Sequence, residues 1–122
     1  TCAIIVPCFN EATRIDSEKF KDFEKQNNTI TFHFVNDGST DKTNIVLDNL
    51  CESSDCFKVL HLKKNFGKAE AISIVVLNLN TVYDFVGYLD ADLSTPLEEI
   101  NRLLTFSQNN QKHFPPRGLE TN

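Results

Sequence analysis

Glycine is scarce in this sequence, four residues of 122, and none stands in a G-x-G-x-x-G or G-x-x-x-x-G-K-S/T arrangement. Both of those phosphate-cradling loops need glycine where the backbone closes on its ligand, which argues against a conventional dinucleotide-dependent dehydrogenase or P-loop nucleotidase. Cysteine is as sparse, at positions 2, 8, 51 and 56, with no C-x-x-C pair and no accompanying histidine cluster. That spacing argues against a zinc site or a disulfide framework. Cys2 lies in an apolar run and reads as a small buried hydrophobe, and the thiols are expected to be reduced, as in a cytoplasmic protein. No apolar run reaches the roughly 20 residues of a membrane span, and no secretory leader pattern opens the sequence. Methionine is absent altogether. A translated chain begins with one, so Thr1 is expected to mark a processed terminus or to follow residues outside this sequence.

What is present describes a globular α/β domain. A length of 122 residues with 40% apolar and 24% charged composition suits one domain with a hydrophobic core. The net charge of −5 gives no attraction to nucleic acid or to an anionic membrane. An anionic ligand therefore needs local neutralisation, by a metal ion or by a few placed lysines.

Cys2 to Val6 is a short apolar run ended by Pro7 and reads as a buried strand. Ser17 to Gln26, with Phe20 and Phe23 among charges, predicts an amphipathic helix. Thr29 to Val35 is β-branched and aromatic, and stops at the turn cluster Asn36-Asp37-Gly38-Ser39. Lys42 to Leu50 carries Ile45, Val46 and Leu50 at helical spacing, and Phe57 to Leu62 predicts a third strand. Gly67 to Leu79 places Ala71, Ile72, Val75, Val76 and Leu79 on one helical face. Asp84 to Leu89 predicts a fourth strand. Thr95-Pro96-Leu97-Glu98 then has the signature of a helix start: N-cap, first-turn proline and capping box, with Leu97, Ile100, Leu103 and Leu104 facing inward. Pro115-Pro116 ends any helix. Strand and helix alternate four times, which predicts a mainly parallel sheet, in the order 3-2-1-4, with helices on both faces.

Ligands of such sheets bind at the carboxyl ends of the strands, beside the switch in strand order, and the unusual residues collect there. If Asp90-Ala91-Asp92 is extended, both carboxylates face one small volume, and two close like charges call for a cation. Mg²⁺ commonly takes one or two carboxylates together with substrate phosphates, and a small Ala91 leaves room for the ligand. Taken alone, the two aspartates serve equally as a solvated or capping pair at a strand-to-helix turn. Asp37 is likewise either a turn former, with Ser39 or Thr40 capping the next helix, or an acceptor for a base edge. Phe9 fits a core position or a ring stacked on a base, and Glu11 is similarly open. Lys63, Lys64 and Lys68 surround Asn65-Phe66-Gly67, either as a solvated basic loop or as phosphate neighbours at a helix start.

Four segments together resemble the inverting family 2 glycosyltransferases: Ile4-Ile5-Val6-Pro7-Cys8-Phe9-Asn10-Glu11, Phe34-Val35-Asn36-Asp37-Gly38-Ser39-Thr40-Asp41, Asn65-Phe66-Gly67-Lys68-Ala69 and Tyr88-Leu89-Asp90-Ala91-Asp92. The last, continuing into Leu93-Ser94-Thr95-Pro96, is most similar to the branch that makes polyprenyl- or dolichyl-phosphate sugars. The resemblance reaches to about Leu104. It implies a Rossmann-like GT-A nucleotide-binding domain over residues 1–110, followed by a polar, flexible tail over 111–122. It implies that Pro7, Phe9 and Glu11 line the base and ribose, that Asp37 hydrogen-bonds the base, and that Lys68 lies near the nucleotide. Asp90 would contact the ribose or the metal side of the nucleotide, and Asp92 would ligate Mg²⁺ or Mn²⁺. The implied partners are a UDP- or GDP-linked sugar donor and a lipid-phosphate or saccharide acceptor, with no nucleic acid. The implied location is the cytoplasm, at the cytoplasmic face of a membrane if other segments anchor the protein there. Roughly thirty residues follow Asp92, and none is assignable as the catalytic general base, which is expected beyond Asn122 or in another chain. On that reading these residues bind a nucleotide but transfer sugar poorly by themselves.

Two other classes pair an α/β sheet with acidic residues. A nucleotidyltransferase needs a glycine-rich basic loop after the first strand, and Pro7 to Arg14 has no glycine. A phospho-receiver module needs an aspartate at the end of the third strand, where this sequence has His61-Leu62-Lys63.

Overall fold

The computed structural model describes residues 1–79 and 82–100. Its elements are β1 (Cys2–Cys8), α1 (Ser17–Gln26), β2 (Ile30–Asp37), α2 (Thr43–Glu52), β3 (Phe57–Leu62), α3 (Lys68–Leu77) and β4 (Phe85–Tyr88). The four strands are parallel and ordered β3-β2-β1-β4, the order expected. A further helical turn opens at 98–100, with Leu97 and Ile100 buried. Leu103, Leu104, Pro115-Pro116 and the polar tail lie outside the described residues.

Successive residues of a strand face opposite sides of the sheet, and β1 divides its apolar run accordingly. Cys2, Ile4, Val6 and Cys8 join a core with Phe20 and Phe23 of α1, Leu47 and Leu50 of α2, and Phe32 and Phe34 of β2. Ile5 and Val35 face the other way, onto Ala71 and Val75 of α3. Helices therefore cover both faces. The first face is aromatic: Phe20 meets Phe32 and Phe34 edge-on at 5.4 and 5.2 Å between centroids, a preferred geometry for rings.

In α2 the buried positions are Thr43, Leu47 and Leu50, whereas Ile45 is exposed. The expected face was displaced because Thr43 is held inward by polar contacts at the strand ends. All four cysteines are free, Cys2 and Cys8 buried. Burial pushes the Cys2 thiol up to about 12 and the Cys51 thiol up to about 11.

β1 also runs two residues past its expected end at Val6, and the reason opens the site. Ile5 accepts the Leu89 N–H at 2.9 Å, its carbonyl pointing toward β4. Pro7, two residues on, aims its missing N–H toward the same side. β1 and β4 pair only as far as Ile5 and Tyr88, so no acceptor there is left wanting. On its other side β1 continues along β2 to Cys8 and Asn36. Past Ile5 the β4 chain turns away, leaving a gap at the switch in strand order.

Candidate functional site

The gap is a cleft of about 270 Å³ lined by Pro7, Cys8, Phe9 and Glu11 after β1, Asp37 at the end of β2, Asn65, Gly67 and Lys68 before and within α3, and Asp90, Ala91 and Asp92 after β4. All seven residues that the family resemblance assigned to the nucleotide and metal lie on its wall. Its volume is close to the lower end of ligand pockets, roughly 300–1,000 Å³.

Asp37 is almost fully buried, at 3% exposure. Its carboxylate accepts the backbone N–H groups of Phe66 at 2.7 Å and Gly67 at 2.9 Å, and the Asn65 amide at 3.1 Å. Asn65 also donates to the Asp37 carbonyl. One aspartate thus fixes the loop from which Lys68 springs, a task not visible from its neighbours in sequence. Gly38 completes the crossing. At φ 68°, a Cβ there would run into the backbone of Lys64 and Asn65, so the loop passes against a position where only glycine fits.

A second network joins the ends of β1 and β2. The Asn10 side-chain oxygen accepts the N–H groups of Thr40 at 2.8 Å and Asp41 at 3.3 Å, while the Asn10 N–H donates to Ser39 Oγ at 2.9 Å. The Glu11 N–H donates to the buried Thr43 Oγ1 at 2.9 Å. Asp41 accepts the Thr43 N–H and hydroxyl, and the hydroxyl bond is the main cause holding its carboxyl below the usual range. Neither Ser39 nor Thr40 caps α2. The N-cap is Lys42, with no side-chain bond, because the two hydroxyl residues face the β1 loop instead. Asn10 sits at φ 52°, a left-handed conformation that asparagine tolerates better than most residues. That strain, the one clue to this network, is not visible from the sequence.

The aspartate pair departs from the expected geometry. Strand pairing ends at Tyr88, and residues 90–93 form a turn closed by the Leu93 N–H to the Asp90 carbonyl at 3.0 Å, with Leu93 at φ 56°. The pair is not extended, because nothing beyond Ile5 continues the ladder on that side. Both carboxylates nevertheless reach the cleft, while Ala91 is buried in the core between them. Its smallness is first a packing requirement. Asp90 accepts Lys68 Nζ at 2.6 Å and Ser94 Oγ at 3.3 Å, and the lysine bond chiefly holds its carboxyl below the usual range. Asp92 is exposed and accepts the Ser94 N–H at 3.0 Å. Lys64 stacks on Phe66 at 5.1 Å, and neither it nor Lys63 is among the residues lining the cleft.

Glu11 reports the electrostatics. Its Oε1 is buried without a hydrogen-bond partner, 3.5 Å from Arg14 Nε. Burial raises its pKa; Arg14 opposes that, and Asp92, Asp41 and Asp90 raise it further. Among the described residues, four carboxylates and one lysine line the cleft. A divalent ion beside Asp92 would relieve that excess of like charge. Among the described residues no three His, Cys, Asp or Glu side chains converge as a metal-ligand group. The protein's share there fits a hard ion that takes one or two carboxylates and completes its shell from phosphate and water.

The family model described as glycosyl transferase family 2 matches residues 3–115. The chain is 33% identical over 110 residues to a bactoprenol glucosyl transferase of Shigella phage SfX, and 30% identical over 105 residues to a prophage bactoprenol glucosyl transferase homolog of Escherichia coli K12. Each match covers 84% of this chain and 34% of the relative, so the chain spans about a third of their length. Among solved structures, the mannosyltransferase PcManGT from Pyrobaculum calidifontis, in complex with GDP-Man and Mn²⁺, aligns with TM-score 0.63 and 25% identity over 75% of this chain and 27% of its own. S. aureus TarS in complex with UDP-GlcNAc aligns with TM-score 0.71 and 21% identity over 91% of this chain and 32% of its own, a likeness of fold. With its strand order, its cleft at the switch point and these matches, the chain belongs to glycosyl transferase family 2 and has the GT-A fold.

Proposed function

We propose that this chain is the donor-binding part of an inverting transferase that moves a sugar from a UDP- or GDP-linked donor to a polyprenyl phosphate. The observation that carries the reading is the convergence of Pro7, Phe9, Glu11, Asp37, Lys68, Asp90 and Asp92 on one cleft between the ends of β1 and β4. Phe9, 45% exposed on the cleft wall, offers a ring face to the base. Pro7 and Glu11 border the base and ribose, and the Glu11 carboxylate, paired with Arg14, offers an acceptor to hydroxyl groups. Asp37 has three donors already, leaving about one acceptor position for a base N–H. Its larger contribution is to hold the 65–67 loop in place.

Asp92 and Asp90 are the residues that would hold Mg²⁺ or Mn²⁺. When bound, the ion supplies Lewis-acid neutralisation of the leaving diphosphate. Lys68 adds a second positive charge on the same side of the cleft. The reaction breaks the bond between the anomeric carbon and the diphosphate oxygen and forms one to the acceptor oxygen. No general base is assigned among the described residues. The polyprenyl-phosphate acceptor is supported by the bactoprenol relatives. No helix among the described residues is long and apolar enough to cross a membrane.

Calorimetric titration with UDP and with GDP, with and without Mn²⁺, tests this. One of the two nucleotides should bind only when Mn²⁺ is present, and Asp92→Ala should weaken that binding about tenfold or more, roughly 1.4 kcal/mol, while Asp55→Asn on the α2–β3 turn leaves it unchanged. Failure of both nucleotides to bind, or equal binding without the metal, would sink the proposal.

A further inference from the structure

Among the described residues, the one lysine that lines the cleft is already engaged. Lys68 Nζ lies 2.6 Å from Asp90 Oδ1 and 5.2 Å from the centroid of the Tyr88 ring, so the ammonium is placed by an anion and by an aromatic face. The root of the side chain is fixed as well. Lys68 is the first residue of α3, immediately after the loop that Asp37 binds through Phe66 and Gly67. Asp90 is held on its other oxygen only by Ser94 Oγ, at a long 3.3 Å.

Two consequences follow from charge. A cation approaching Asp90 either displaces the ammonium from Oδ1 or, at Oδ2, meets its like charge across the same carboxylate. A lysine committed to Asp90 is in turn only partly available to a diphosphate. The pair is half-exposed, 51% for the lysine side chain and 44% for the aspartate. Ion pairs so open to water are weak and exchange readily. The contact therefore suits an exchange of partners better than a permanent tie.

We propose that Lys68 is an internal counter-ion: it occupies Asp90 when no divalent ion is present, and it transfers to the nucleotide's diphosphate when the ion takes Asp90 and Asp92. The inference rests on the donor-site reading above and adds to it the device that makes metal and nucleotide depend on each other. Lys68 weakens metal binding to the empty cleft and strengthens nucleotide binding to the metal-loaded one. Coupling between two ligands is reciprocal, so each must raise the affinity of the other by the same factor.

The test measures Mn²⁺ binding by electron paramagnetic resonance and UDP and GDP binding by calorimetry, on the full chain and on Lys68→Gln and Asp90→Asn, with thermal melts to confirm folding. Lys68→Gln should bind Mn²⁺ alone about fivefold more tightly than the parent, yet bind nucleotide about fivefold more weakly at saturating Mn²⁺, with the mutual enhancement reduced equally in both directions. Asp90→Asn, which releases the lysine, should bind nucleotide without metal more tightly than the parent. If the parent shows metal-dependent nucleotide binding while Lys68→Gln has unchanged or weaker Mn²⁺ affinity, the counter-ion assignment is overturned and the donor site stands. If the parent shows no such binding, the donor site itself falls, and the assignment with it.

Discussion

Asp37 and Asp92 stand at the ends of two strands of one sheet and face the same cleft, but their surroundings are opposite. Asp37 is buried and spends its carboxylate on two backbone N–H groups and one side-chain amide. Asp92 is exposed, and among the described residues its side chain accepts a bond from Ser94 alone. The first is embedded because β2 is a central strand whose end is crossed by the loop entering α3. The second is open because β4 stops at Tyr88 and the chain turns away from β1. One aspartate builds the cleft, and the other stands open on its wall. Identical side chains in similar turn sequences thus carry different loads, and mutation should separate them.

The largest effect is expected at Asp37. Asp37→Ala strands two loop N–H groups and should lower unfolding free energy by about 3 kcal/mol in urea titrations, with nucleotide binding lost as the 65–67 loop loosens. Asp37→Asn, which keeps one acceptor oxygen, should cost about half as much. Were Asp37→Ala to leave stability within about 0.5 kcal/mol of the parent and still abolish binding, the contrast with Asp92 would collapse.

Asp92→Ala should do the reverse. Its urea midpoint should stay within about 0.5 kcal/mol of the parent, while Mn²⁺-dependent nucleotide affinity falls about tenfold or more. A substantial loss of stability here would show that the turn after β4 is as structural as the one after β2.

The third change sharpens the comparison by touching a link between the loops after β1 and β2. Thr43→Val keeps the shape of the buried side chain but leaves the Glu11 N–H without its acceptor, at a cost of about 1 kcal/mol. A chemical-denaturation curve indistinguishable from the parent's would show that the contacts of Asn10 and Ala12 hold the loops without it.

The smallest effect depends on pH. Burial and the neighbouring Asp92, Asp41 and Asp90 raise the Glu11 pKa in the folded chain, so the native state holds this proton more firmly than the unfolded state. Stability from this group is therefore full below the ordinary glutamate pKa of about 4.3 and declines as pH rises through the raised value. Glu11→Gln should melt slightly higher than the parent at pH 7 and match it near pH 4. Saturating Mn²⁺ should narrow the gap at pH 7. A variant that melts lower at pH 7 would contradict the electrostatic account.

Sequence periodicity carried most of the fold. The bounds of α1 and β3 and the strand order were legible because they depend on local patterns of apolar and charged residues. The residues on the cleft wall were legible because strand ends of a parallel sheet gather at one side. Local pattern could not show what those residues bond to. Asn10 meets Ser39, Thr40 and Asp41 about thirty positions away, and Asp37 meets Asn65, Phe66 and Gly67 at a similar remove. The exposed Ile45 shows the same limit: helical spacing allowed several faces, and Thr43, bonded at the strand ends, decided which one turned inward. The turn at Asp90–Leu93 was hidden because it depends on where β4 loses its partner.

The most direct test of the central claim is a crystal structure of the chain with Mn²⁺ and the nucleoside diphosphate that binds it, with the ion located by its anomalous scattering. The account predicts one manganese peak at the Asp92 carboxylate, shared with the diphosphate, and the base beside Phe9 in the cleft between the ends of β1 and β4. Manganese bound away from Asp90 and Asp92, or the nucleotide seated in the groove lined by Lys19, Phe23, Leu93 and Leu97 beside α1, would contradict it.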